Sequence, residues 1–121
     1  ASLIYALIEG ISFGLNNNYR ALSKTGIKLE NIYAIGGGSK NESWLKLLAS
    51  ILNRNLALTD AYHAMAAFVA ARIAFMGFNN LKPNEALSSP KVIKTIEKDP
   101  ELSEILNERF QIWNKFYIRN E

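Results

Sequence analysis

Three consecutive glycines, Gly36, Gly37 and Gly38, run directly into Ser39, Lys40, Asn41 and Glu42. Without Cβ atoms over the main chain, a ligand can approach the backbone closely. Free N–H groups at a helix start, with the positive end of the helix dipole, attract a phosphate. The Ser39 and Asn41 side chains can add hydrogen bonds to a phosphate, a ribose or a base. Ser39 with Glu42 three residues later reads as a capping box, which sets the helix start immediately after the glycines. Lys40 in that first turn opposes the dipole and is expected to face solvent, while Glu42 brings a negative charge into the anion site. The spacing is neither Gly-x-Gly-x-x-Gly nor Gly-x-x-x-x-Gly-Lys-Ser/Thr, so neither a dinucleotide fingerprint nor a P-loop applies. Two readings stay open on the residues alone: a phosphate cradle, or a turn whose glycines only let chain elements cross closely.

The remaining reactive side chains stand apart from one another. Glu9 lies on an apolar helical pattern with no second acid at helical spacing, so it reads as a hydrogen-bonded structural carboxylate. Asp60 reads as the N-cap of the helix that follows it. His63, the one histidine, has no Ser, Cys or carboxylate partner at a catalytic spacing and reads as a surface or cap-adjacent residue. With no cysteine and one histidine, disulfides, Cys-ligated metal centres and multi-His sites are excluded. No catalytic residue and no metal ligand is expected in this chain.

The elements around the glycines follow from periodicity. Ile4, Ile8, Ile11, Leu15, Tyr19 and Leu22 recur at helical steps and predict one buried helix face, ended by Gly26 as a left-handed residue. Gly10 and Gly14, one turn apart, each lower helix propensity by about 1 kcal/mol and predict the close approach of another element. Residues 31–35 read as a short buried strand stopped by the glycines. Trp44, Leu45, Leu48, Ile51 and Leu52 form the apolar stripe of the next helix, with Asn53 as its left-handed cap. Residues 56–59 form a second strand, and a helix between two strands suits a parallel crossover. His63 to Met76 is an Ala-rich helix ended by Gly77. A loop follows over residues 83–90, with a helical turn around Glu85, and then an edge strand over 92–97. Asp99-Pro100-Glu101 starts the last helix, whose predicted buried face is Leu102, Ile105, Leu106, Phe110, Trp113, Phe116 and Tyr117. This order gives an α/β fold.

Composition narrows the class further. The 121 residues, 49% apolar and 21% charged, suit one globular domain and exclude a disordered tail. The net charge of +3 is spread evenly, with six Lys/Arg against four Asp/Glu in residues 1–60 and eight against seven in residues 61–121. No basic stripe interleaved with aromatics results, so nucleic acid is not an expected partner. The apolar run from Ala64 to Phe78 is short for a membrane span and holds Arg72, so no membrane partner is expected. No charged lead precedes a cleavable apolar stretch, and the expected location is the cytoplasm. The apolar pattern starts right after Ala1-Ser2, which reads as a domain cut from a longer polypeptide.

Four blocks carry a family resemblance: residues 6–15 (ALIEGISFGL), residues 35–41 (IGGGSKN) with Trp44, residues 47–54 (LLASILNR), and the Ala-rich helix after Asp60. In this order they resemble the C-terminal domain of the FGGY carbohydrate kinases, most closely the xylulokinase-like branch, and the glycine block is the most specific of them. The tail around residues 97–102 and the final aromatic helix also look like that family's ending.

The resemblance implies an actin-like, ribonuclease-H-like ATPase half-domain with a small mixed sheet flanked by helices. Residues 1–121 would be the single C-terminal nucleotide-binding domain of a two-domain sugar kinase. The implied ligand is ATP or ADP with Mg2+, the magnesium held through the phosphates and by the N-terminal domain, which also binds the sugar and supplies the catalytic aspartate. By position in the motif, Gly36, Gly37, Gly38, Ser39 and Asn41 would contact nucleotide, with Glu42 near the adenine. The implied reaction moves the γ-phosphoryl group of ATP to a hydroxyl of a ketose or polyol, xylulose-like, and the isolated chain is expected to be inactive. An apolar face left by an absent N-terminal domain also makes a homodimer an expectation.

The sequence departs from the family pattern at Ser50, where an acid is usual, and at Asn53, where glycine is usual. Ala61 and Met65 also replace two glycines of the following helix, implying a reshaped adenine pocket or weaker nucleotide affinity. The alternative those substitutions support is a non-catalytic regulatory or interaction domain of the same fold.

Overall fold

A computed structural model describes residues 2–60, 65–83 and 91–118. Along the chain lie α1 (Ser2–Lys24), a 3-10 turn (Gly37–Lys40), α2 (Glu42–Leu52), β1 (Leu56–Thr59), α3 (Met65–Asn79), β2 (Val92–Ile96) and α4 (Pro100–Ile118).

Helix α2 is apolar on two opposite sides, and the other elements are arranged around it. Leu45, Ala49 and Leu52 pack against Leu56 and Leu58 of β1 and Ile96 of β2. Leu47 and Ile51 pack against Phe13 of α1 with Leu106 and Phe110 of α4. Phe13 and Phe110 meet edge to face, 5.5 Å between ring centroids. The layers are therefore sheet, α2, and then the α1–α4 pair. Asn53 ends α2 at φ 53°, ψ 36°, the left-handed cap expected from its type. Arg54 N–H then donates to Ala49 O at 3.0 Å, closing the helix end.

β1 and β2 are antiparallel, with Leu56 opposite Ile96 and Ala57 opposite Thr95. On its other side β1 makes one parallel bridge, Ala57 to Tyr33. Ala34 N–H donates to Ala57 O (3.0 Å), and Ala57 N–H donates to Ile32 O (2.8 Å). The segments flanking α2 are thus parallel, as a crossover requires, and the pairing is mixed. The strand predicted over 31–35 is an extended segment with a single bridge rather than a buried strand, and Tyr33 and Ile35 are exposed. Its far edge has no hydrogen-bonded neighbour among the described residues, so only one side of it is fixed.

Helix α1 ends before Gly26, whose φ of 84° is the left-handed turn expected there. Its predicted buried face is only partly right: Ile8 and Tyr19 are half-buried against the two apolar clusters, and the rest of that face is not. Ile4, Ile11, Leu15 and Leu22 are exposed, and the residues buried are Glu9, Ser12, Phe13 and Asn16. Periodicity located the more apolar stripe, but packing follows the side where Phe13 enters the aromatic cluster. The close crossing expected at Gly10 and Gly14 is also not found, since a Cβ at either would meet nothing within 4 Å.

Helix α3 runs through Gly77 instead of ending there. The left-handed residue is Asn80, at φ 53°, and Leu81 N–H donates to Met76 O at 3.0 Å. Helix α4 starts as predicted: Asp99 Oδ1 accepts from Leu102 N–H at 3.2 Å, and the Ser103 hydroxyl donates to Asp99 O at 2.7 Å. Ser103, Leu106 and Phe110 are buried, but Ile105 and Phe116 are exposed because the contact with α1 and α2 takes a narrower stripe. The helix start that Asp60 would cap, His63, the Met65 side chain, the turn at Glu85 and the Tyr117 side chain lie outside the described residues.

Candidate functional site at the glycine corner

The extended segment ends at Ile35, and Gly36 redirects the chain with φ 86° and ψ −171°, a conformation that side-chain-bearing residues rarely adopt. A 3-10 turn follows over Gly37–Lys40. Ser39 N–H donates to Gly36 O (3.2 Å), and Asn41 N–H donates to Gly38 O (3.1 Å). Ser39 is buried, and its hydroxyl also donates to Gly36 O. Asn41 is the N-cap of α2, its Oδ1 accepting from Trp44 N–H at 3.1 Å.

The predicted Ser39–Glu42 capping box is therefore not formed. The 3-10 turn places the helix start two residues beyond Ser39, and Asn41, an equally good cap, takes the role. Glu42 pairs instead with Lys94 of β2, Nζ to Oε1 at 2.5 Å. The acid of the first turn is thus balanced by a cation from the sheet and does not face the glycines unpaired. Lys40 is exposed, as expected.

The three glycines divide by function. A Cβ on Gly36 or Gly37 would meet nothing within 4 Å, so that part of the corner is open. Among the described residues, the N–H groups of Gly37 and Gly38 donate to no protein acceptor. At Gly38, by contrast, a Cβ would lie 2.6 Å from Cζ3 of Trp44. Each reading left open by the sequence thus claims part of the corner: open space over Gly36 and Gly37 beside the free amides of Gly37 and Gly38, and close crossing at Gly38. The structure brings all five predicted contact residues into one turn, but it turns Ser39 inward and uses the Asn41 carbonyl oxygen as a cap.

Two features were missed by sequence reasoning. Trp44 Nε1 donates to the hydroxyl of Ser12 on α1 at 3.0 Å, which ties the corner to a helix 32 residues away. Nothing in the serine's local sequence marks it. Behind the turn lies an apolar cleft of about 530 Å³ between α1 (Tyr19, Leu22), the extended segment (Tyr33, Ile35) and α2 (Trp44, Leu48). Its signal was present in the apolar stripe of α1, which faces this cleft at Leu15, Tyr19 and Leu22.

Among the described residues, no group of three or more His, Cys, Asp or Glu side chains is placed to hold a metal ion. None of the described helices is long and apolar enough to cross a membrane.

The chain is similar to known proteins over this same region. Residues 1–78 match the model of the FGGY family of carbohydrate kinases, C-terminal domain. A xylulose kinase of Staphylococcus xylosus is 38% identical over 72 residues, 60% of this chain and 15% of that protein. One from Staphylococcus epidermidis is 27% identical over 117 residues, 97% of this chain and 22% of that protein. Among solved structures, a xyloylose kinase from Brucella ovis superposes with a TM-score of 0.81 at 31% identity, covering 97% of this chain and 24% of that one. A xylulose kinase from Rhodospirillum rubrum gives a TM-score of 0.72 at 21% identity, covering 94% of this chain and 23% of that one. The chain thus spans about a fifth of the length of the relatives it matches. Because the family match takes in the glycine corner together with the helices on both sides of it, the chain belongs to the FGGY family of carbohydrate kinases.

Proposed function

We propose that this chain is the C-terminal nucleotide-binding domain of an ATP-dependent kinase, actin-like in fold, acting in the cytoplasm on a xylulose-like ketose or polyol. The observation that carries this reading is the glycine corner itself, where the N–H groups of Gly37 and Gly38 have no protein acceptor among the described residues and the space over Gly36 and Gly37 is open. Two unpaired amides in a glycine turn just ahead of a helix favour an anion. Gly36 and Gly37 would let phosphate oxygens reach the main chain, and Gly38 would present its N–H from a turn fixed against Trp44. The Lys94–Glu42 pair removes the uncompensated acid that would repel them.

When bound, magnesium supplies charge neutralisation on the phosphates, carried in with the nucleotide. Phosphoryl transfer is mainly positioning and charge stabilisation, and this domain's share is to hold the nucleotide in place. Closure against a sugar-binding half would exclude water from the reaction.

A second reading, a non-catalytic module of the same fold, is favoured by the amides of Ser39 and Asn41 being engaged inside the turn. Titration of MgADP into the 121-residue chain by calorimetry separates the two. Saturable binding lost in Gly37→Val supports the nucleotide reading; no heat up to millimolar MgADP supports the module. Sugar phosphorylation by the 121 residues alone would contradict the assignment of catalysis to a partner half.

A further inference from the structure

We propose that Ser12 is a positioning residue for the glycine corner, acting through the indole of Trp44. The proposal rests on the nucleotide reading for its effect on binding, and stands apart from it for its effect on the turn.

Ser12 is completely buried, and its hydroxyl donates to Ile8 O one helical turn back at 2.8 Å. That leaves the oxygen as an acceptor, and Trp44 Nε1 occupies it at 3.0 Å. A buried hydroxyl on a helix carries a desolvation cost that an alanine would not, and a bond back to the i−4 carbonyl does little for the helix. What this serine provides is a fixed acceptor for the indole.

The other end of the same ring sets the turn. Cζ3 of Trp44 lies 2.6 Å from where a Gly38 Cβ would be, with Cε3 and Cη2 at 3.3 Å. Cζ3 is diametrically opposite the six-ring carbon that carries Nε1, so the hydrogen bond and the contact sit at the two ends of one rigid body. Any rotation that breaks the bond to Ser12 also swings the edge on which Gly38 rests. The direction of the two free amides is therefore set from α1, by a residue that touches neither them nor any ligand they would bind.

The test cuts the bond from each side, Ser12→Ala and Trp44→Phe, and from both together, in the 121-residue chain. Ser23→Ala is the control, because Ser23 makes the same back-bond within α1, to Tyr19 O at 2.9 Å, with no indole attached. Two readouts are taken: hydrogen exchange of the Ser39 and Asn41 amides, which close the turn, and MgADP affinity by calorimetry. Removal of one hydrogen bond of ordinary strength is expected to speed that exchange and weaken MgADP by about fivefold in each single variant. The double variant is expected to be no worse than either single, and Ser23→Ala to match the parent. Exchange at Ser39 and Asn41 unchanged in Ser12→Ala, whatever its melting temperature, overturns the proposal, as do effects of the two singles that simply add. If the parent chain binds no MgADP, the nucleotide reading fails while the exchange measurement still decides this one.

Discussion

Arg109 Nη2 lies 2.6 Å from Glu9 Oε2, joining α4 to α1 through a carboxylate that is only 5% exposed. The second oxygen, Oε1, has no hydrogen bond. Glu9 is thus the structural carboxylate its isolation in the sequence suggested, but it depends on one cation from the far end of the chain. Arg109→Ala would leave a buried carboxylate with neither oxygen partnered. Since Arg109 is half exposed, the expected loss is about 2 kcal/mol, below the range for fully buried pairs. Glu9→Gln, which removes the charge along with the pair, should lose about 1 kcal/mol. Urea unfolding of both variants checks the order, and an Arg109→Ala chain as stable as the parent contradicts it.

The corner glycines should respond differently to the same substitution. Gly36→Ala puts a side chain at φ 86° and is expected to destabilise by about 1–3 kcal/mol through backbone strain. Gly38→Ala drives a Cβ into Trp44 and should destabilise by a similar 1–3 kcal/mol, roughly the cost of overpacking, with a change in tryptophan fluorescence. Gly37→Ala meets open space, so stability should hold while MgADP affinity falls. Thermal unfolding beside calorimetric titration resolves the three cases.

At Ser50, where the family resemblance leads us to expect an acid, the surroundings account for a hydroxyl. It is buried on α2, donates to Lys46 O at 2.8 Å and accepts from Asp99 N–H at 3.1 Å. Ser50→Ala therefore strips an acceptor from the first amide of the α4 start and should lower stability by about 1–2 kcal/mol. Asp99→Ala removes the cap itself and should lose about 1 kcal/mol. Both are read from denaturant midpoints, and a neutral Ser50→Ala would contradict a stabilising role for the hydroxyl.

The exposed stripe of α1, with Leu3, Ile4, Leu7 and Ile11 all on the surface, is a large apolar area for a free chain. Sedimentation of the 121 residues is expected to show concentration-dependent self-association, weakened by the pair Leu7→Glu and Ile11→Lys without loss of helix content. A monomer at every concentration would rule this out.

Local signals were legible where one residue decides the geometry. Asn53 and Asp99 were readable because a left-handed cap and an N-cap depend on their own side chains, and the parallel relation of the segments flanking α2 followed from element order. The buried face of α1 was not readable, because the helix has two candidate sides and the choice belongs to Phe110 and Arg109, about 100 residues away. The capping box failed for a related reason: Ser39 and Asn41 are both good caps, and only the inserted 3-10 turn decides between them. At the site, the five residues of the corner were legible as a group, whereas the split between an open Gly37 and a crowded Gly38 depends on a ring that packs back from the next helix.

Since α2 is the wall shared by both apolar clusters, neither cluster can come apart without loosening it. Its amides should be among the last in the molecule to open. The glycine corner sits at the leading tip of that helix, so anything that pushes on the corner meets the stiffest member of the chain, while the chain before Gly36 is left to absorb the movement.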